Sequence, residues 1–198
     1  MHIDEPLVLR SQGVMVLEDF AYILDYLPQG HPERKTFKRE PMAFGLGELE
    51  FKLLELSPKP NVQMTPGERV YIGKDMDQRT KVLHVKRRVN FSELTSAAQT
   101  ELPFIIESII QKDEERFIRF FNEAQAISTR LHMLELIPGL GKKTMWHIIE
   151  ERKKGPFKSF SDLTTRINTL HQPEKLIMKR ILQEMEDTSE KYHIFIRF

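Results

Sequence analysis

The sequence predicts a multi-domain α+β chain, a small antiparallel β-barrel followed by an all-helical domain. Three observations carry that reading. Up to about Arg88 apolar residues alternate in short runs, the runs are separated by turns rich in proline and glycine, and after Asn90 the apolar spacing becomes helical. The expected divisions are residues 1–90 for the barrel, 91–190 for the helical domain and 191–198 for a C-terminal strand that pairs with the N-terminal sheet.

Within the first part, Phe20, Tyr22, Leu24 and Tyr26 alternate between Asp19 and Leu27, as a half-buried strand requires, and Pro28-Gln29-Gly30 ends the run. A second strand is expected from Glu50 to Leu56, closed by Ser57-Pro58-Lys59-Pro60. Pro66-Gly67 suits a tight turn into a third, Glu68 to Ile72. The fourth runs from Lys81 to Val89, with Leu83, Val85, Arg87 and Val89 on one face. Phe44-Gly45-Leu46-Gly47 reads as a turn before a strand.

In the second part, Leu102, Ile105, Ile106, Ile109 and Ile110 follow helical spacing, and Phe117, Ile118, Phe120 and Phe121 repeat it in a helix beginning near Asp113. A further helix is expected from Ser128, as N-cap, to Ile137, and another from Lys142 to Lys154. A short helix opens at Ser161-Asp162, and Pro173 starts the last, to about Glu186. Tyr192, Ile194, Ile196 and Phe198 alternate as a strand would.

Composition narrows the function classes. The 198 residues carry 30 Lys+Arg against 29 Asp+Glu, a net charge of +1, which argues against a protein that coats nucleic acid along its whole surface. That total is a cancellation. Ser128 to Arg180 holds 11 basic and 5 acidic residues, whereas Phe91 to Ile127 holds 3 and 7. There is no cysteine, so disulfides, thiolate zinc sites and cysteine nucleophiles are excluded. No apolar run approaches a membrane span, and the opening Met1-His2-Ile3-Asp4-Glu5-Pro6 is acidic where a signal peptide is basic. The expected compartment is the cytoplasm, with no membrane partner.

The most informative stretch is Leu131 to Arg152. Pro138 ends one helix, Gly139 permits a left-handed backbone, Leu140 plugs the core, and Gly141 opens the next helix without a Cβ. Backbone amides at that helix start, with Lys142 and Lys143 beside them, suit a phosphate oxygen and carry no base information. A plain tight turn between two core helices is the competing reading. His31 to Glu40 offers Lys35, Lys38 and Arg39 around Phe37, a pattern that tracks a phosphate backbone while the ring stacks on a base. The same segment also reads as a solvated loop with Phe37 folded inward. Lys81, Lys86, Arg87 and Arg88 form a second basic run.

Ile137-Pro138-Gly139-Leu140-Gly141 resembles the helix-hairpin-helix motif. Gly155 to Leu163 looks like the link between two such hairpins in tandem, which implies a second, degenerate hairpin near Leu170-His171-Gln172-Pro173, without glycines. The resemblance also implies a monovalent cation held by carbonyls of Ile137, Leu140 and their neighbours, and no other cofactor. With Leu24 to Gly30 and Pro66 to Gly73, the whole is similar to an archaeal family of uncharacterised proteins, predicted to bind RNA, that join an oligonucleotide-binding (OB-like) barrel to a helix-hairpin-helix domain. Nucleic-acid binding, RNA before DNA and without sequence specificity, is what this implies. Related glycosylases place a catalytic aspartate after a Gly-Pro pair, where this chain has Phe157.

No catalytic constellation emerges, and the chain is not expected to be an enzyme. His132 with Glu135, and His147 with Glu150 or Glu151, lack a third metal ligand, and Gly139-Leu140-Gly141-Lys142 is not a P-loop. Asp75 and Asp77 read as a hairpin cap or, with Glu101, as a metal-dependent nuclease's carboxylates. A protein-interaction adaptor is the other alternative. Trp146 and the methionines, at helical spacing, are expected in the core.

Overall fold

The computed structural model describes residues 18–32, 40–187 and 189–196. It is a mixed α+β chain whose described residues fall into two compact units, one of 18–105 with 185–187 and 195–196, the other of 106–184 with 189–194. The division falls inside a helix at 105/106, where the sequence placed it at 90/91.

The first unit is built on a curled antiparallel sheet of β1 (Phe20–Leu27), β2 (Met42–Gly47), β3 (Leu53–Pro58), β4 (Arg69–Tyr71) and β5 (Val82–Arg88), in the order β4-β1-β2-β3-β5. Bulges in the β1–β2 register at Ile23/Asp25 and in β3–β5 at two places bend the strands. Ala21, Ile23, Ala43, Leu54, Leu56 and Val82 form the core on its inner face. β4 and β5 do not pair with each other in the sheet order. Arg79 spans that gap, donating to the carbonyls of Ile72 (2.8 Å), Gly73 (2.7 Å) and Leu83 (3.1 Å).

Phe44-Gly45-Leu46-Gly47, expected as a turn, belongs to β2, every residue of which is buried. The glycines serve close approach. A Cβ on Gly45 would sit 2.9 Å from Leu56 Cδ1, and one on Gly47 2.3 Å from Glu18 Oε1. Glu18 is itself buried, which pushes its carboxyl pKa up, while the amides of Leu49 (2.8 Å) and Glu50 (2.7 Å) donate to it.

α1 (Ser96–Lys112) and α2 (Glu114–Glu123) follow the expected periodicity, and α2 buries Phe117, Ile118, Phe120 and Phe121. α3 (Lys142–Lys153), α4 (Phe160–Arg166) and α5 (Pro173–Glu186) complete the helices among the described residues. α4 is capped by Ser159, two residues before the expected start, its Oγ accepting from the Asp162 amide at 3.0 Å. Phe157 is buried in the link before α4, where Asn122 clamps its backbone, accepting from its N–H (2.8 Å) and donating to its carbonyl (2.9 Å).

Two expectations fail in the second unit. The helix from Ser128 to Ile137 is instead a two-stranded hairpin, β6 (Ala126–Ser128) and β7 (Leu131–His132), followed by a single 3-10 turn, Met133–Leu136. The cap is His132, whose Nδ1 accepts the Leu134 amide at 3.1 Å while Glu135 accepts the His132 amide at 2.9 Å. The expected C-terminal strand is also not formed by residues 191–196, which have irregular backbone, and its last two residues, 197–198, lie outside the described residues. Buried side chains take the polar groups a ladder would use: Arg180 donates to the Tyr192 carbonyl, and Glu184 accepts the Ile194 amide at 2.9 Å.

Candidate functional site

The site is a tight turn feeding the start of α3. Ile137 and Leu140 are buried and anchor it, and the Leu140 amide donates to the Ile137 carbonyl at 3.0 Å. Gly139, between them, has φ +85, a conformation that L side chains rarely adopt. Gly141 differs. Its φ of −75 and ψ of 163 suit any residue, and a Cβ added there meets nothing within 4 Å. Neither backbone conformation nor packing in this protein asks for glycine at 141.

Gly141 is also the N-cap of α3, and no side chain caps the helix there. Its carbonyl takes the Met145 amide at 3.0 Å, so the amides of Lys142, Lys143 and Thr144 belong to the first turn, where a helix has no acceptors of its own. That turn carries two exposed lysines and no acid. The macrodipole makes cations unfavourable at this end by about 0.3–1 kcal/mol each. α2, α4 and α5 all place acids in their first turns. Lys142 Nζ lies 3.9 Å from Glu135 Oε2, and Lys143 makes no ion pair among the described residues. Of the carbonyls expected around a cation, that of Ile137 already accepts the Leu140 amide.

Much of the basic excess of 128–180 is used internally. Arg152, half-buried with its pKa lowered by that burial, donates to the carbonyls of Phe121 (3.1 Å) and Ala124 (2.8 Å). Arg166 holds the carbonyls of Glu151 and Gly155 and lies over the Phe157 ring at 4.3 Å. Arg180, 2% exposed, pairs with Glu184 at 2.8 Å and Glu190 at 3.3 Å. Lys142, Lys143 and Arg130 remain exposed in the hairpin region, as do Lys158 and Lys179 outside it, and Arg130 and Lys142 line one cleft.

The structure thus brings Pro138, Gly139, Leu140, Gly141, Lys142 and Lys143 together, with Leu140 as a buried plug. Lys35, Phe37, Lys38 and Arg39 lie outside the described residues. The sequence reading missed Trp146, expected in the core and 59% exposed. The signal lay in the helix period: Met145 and Ile148 are the buried positions of α3, and Trp146 falls off that face. With Thr129, Arg130, His132, Glu135, Lys142 and Met145 it lines a cleft of about 440 Å³. Burial, then the charge of Arg152, lowers the His132 pKa. The neutral ring accepts through Nδ1 and carries its proton on Nε2.

A second turn precedes α5. The Leu170 amide donates to the Ile167 carbonyl at 2.9 Å, both side chains are buried, and Gln172 adopts φ +48. Thr144 and Thr169 link the two turns through their hydroxyls at 3.2 Å. In the other unit, Asp75 accepts from Gln78 (2.8 Å) and the Asp77 amide (3.1 Å), which hold its pKa below the usual range and make it a turn cap. Among the described residues no three His, Asp or Glu are grouped to hold a metal ion, and no helix is long and apolar enough to cross a membrane.

Residues 17–197 match the model of a family described as a protein of unknown function, DUF655. The chain is 46% identical over 182 residues to the uncharacterized protein MJ0038 of Methanocaldococcus jannaschii, covering 91% of this chain and 81% of that one. Its fold is similar to the crystal structure of Af1531 from Archaeoglobus fulgidus, with a TM-score of 0.83 and 49% identity over 91% of this chain and all of the other.

Proposed function

We propose that this chain, which belongs to the DUF655 family of proteins of unknown function, binds the phosphate backbone of nucleic acid, RNA before DNA, through the first turn of α3. The observation that carries the reading is Gly141. Its backbone conformation and its open surroundings do not require glycine, which serves the helix only as a better N-cap than alanine, and the bare Cα leaves the Lys142 and Lys143 amides uncovered for an approaching oxygen. The two lysines supply the second argument. Placed against their own helix dipole, they favour an anion from outside more than they favour the helix.

In this reading the turn is a helix-hairpin-helix whose first helix has shrunk to the 3-10 turn Met133–Leu136, and the turn at 167–172 is its degenerate second copy. The sheet is an OB-like barrel, a fold that is five-stranded, antiparallel and partly open, with Lys35, Phe37, Lys38 and Arg39 as its single-strand contacts. Contacts to phosphates carry no base information, so binding is insensitive to sequence.

Replacing Lys142 and Lys143 together by glutamate tests the reading. Retention of RNA and DNA falls, and the slope of log affinity against log salt flattens by about two, one for each phosphate that a lysine no longer neutralises. Thermal stability holds or rises slightly, because glutamates suit a helix start. Unchanged affinity and salt slope would sink the proposal.

A further inference from the structure

We propose that the cleft between the β6–β7 turn and α3 receives one unstacked nucleobase, stacked on the indole of Trp146, so that the protein selects single strands and strand ends over continuous duplex. This rests on the phosphate reading of α3. Trp146 is more exposed than a residue of its apolar area has reason to be, and it is not stranded on a featureless surface. It forms one wall of a cleft of about 440 Å³, within the range of roughly 300–1,000 Å³ usual for small-molecule sites. Thr129 and Arg130 at the hairpin turn also line that cleft.

The lining suits a nucleotide better than an apolar side chain. Arg130 is exposed and makes no ion pair among the described residues, and Lys142 has only the 3.9 Å approach of Glu135. His132 offers a neutral ring with an Nε2 donor, and Glu135 a carboxylate acceptor, for the edge of a base. Trp146 follows Lys142 by four residues, so a rise of about 6 Å, just over one helical turn, separates the stacking surface from the phosphate-binding turn. The sugar of a single nucleotide bridges such a gap. A base inside a duplex reaches the cleft only by unpairing and leaving its stack, which costs a few kcal/mol and is avoided in a single strand.

Trp146 is the protein's single tryptophan, so its emission reports on this cleft alone. The full chain is titrated with a short oligoadenylate, with an abasic oligomer of the same length, and with a blunt RNA duplex, following tryptophan emission and, in parallel, the anisotropy of labelled strands. Oligoadenylate quenches the emission and binds more tightly than the abasic strand. Trp146→Ala weakens oligoadenylate about tenfold, as loss of one stacked base predicts, leaves the abasic strand unaffected, and Trp146→Phe restores most of the loss. Equal affinity for oligoadenylate and the abasic strand, with unchanged emission and with the Lys142/Lys143 glutamate variant still weakening both, overturns the base site and leaves phosphate binding standing. Failure of every strand to bind overturns both.

Discussion

Two turns in the helical unit share one skeleton and differ in what they put on it. At Ile137 and at Ile167 a buried isoleucine accepts the amide of a buried leucine three residues on, and a helix follows. The N-cap of α3 is a glycine in an ordinary extended conformation, and that of α5 is Gln172 in a left-handed one. Glycine stands where the backbone does not need it, and glutamine where the backbone would welcome glycine. The cations differ in the same sense. α3 begins with exposed Lys142 and Lys143 and no acid, whereas α5 begins with Glu174 and a half-buried Lys175. The skeleton is therefore a packing device common to both turns, and only the first carries additions that packing leaves unexplained.

The largest expected effect lies on the packing side. Arg180→Met removes the buried guanidinium that pairs with the fully buried Glu184, and the cost in equilibrium denaturation is about 3–5 kcal/mol. Replacing both, Arg180→Met with Glu184→Leu, returns most of that loss, because a well-packed apolar pair avoids the desolvation of either charge. Nucleic-acid affinity per folded molecule stays unchanged in both. A fall in affinity at native stability would place the second turn in the binding surface and break the contrast.

A smaller effect separates the backbones. Gly139→Ala forces a Cβ onto φ +85 and destabilises by about 1–2 kcal/mol, although its nearest neighbour, Leu176 Cδ2 at 3.7 Å, leaves room for it. Gln172→Gly relieves strain of that kind, offset by glycine's greater freedom in the unfolded chain, and stabilises by about 0.5 kcal/mol. Urea midpoints measure both. Shifts of the same sign would mean that the turns are not strained at the places their dihedral angles indicate.

How far the sequence could be read follows from what each residue's signal depends on. Helical spacing in α2 survives because burial on one face writes itself into the chain, whereas β1 forms where expected without the half-buried alternation, since Ala21, Tyr22, Ile23 and Leu24 are all buried. β2 was hidden because all of it is buried, so no polar residue marks its period, and its two glycines look like a turn until Leu56 and Glu18 are seen against them. The segment 126–136 misled because Leu131 and Leu134 are three apart, a spacing that a hairpin with a 3-10 turn satisfies as well as an α-helix does. The residues of the turn before α3 were legible because they are contiguous. The cleft was not, since it joins Arg130 to Trp146 through a hairpin that the spacing concealed.

The smallest expected change in stability is the sharpest test of the contrast. Gly141→Ala removes some freedom from the unfolded chain, a gain of about 0.4–1 kcal/mol, and puts a poorer residue at an N-cap, a loss of similar size. With φ at −75 and nothing within 4 Å of the new methyl, no strain is added, so the denaturation midpoint moves little. On the proposed reading affinity for nucleic acid falls all the same, because a methyl at the N-cap crowds the approach of a phosphate oxygen to the Lys142 and Lys143 amides. The salt slope stays near the parent value, since both lysine charges remain. That combination separates a steric block from the loss of charge in the double glutamate variant. Parent affinity in Gly141→Ala would mean that the glycine has no partner to admit, and the first turn would then differ from the second only in composition.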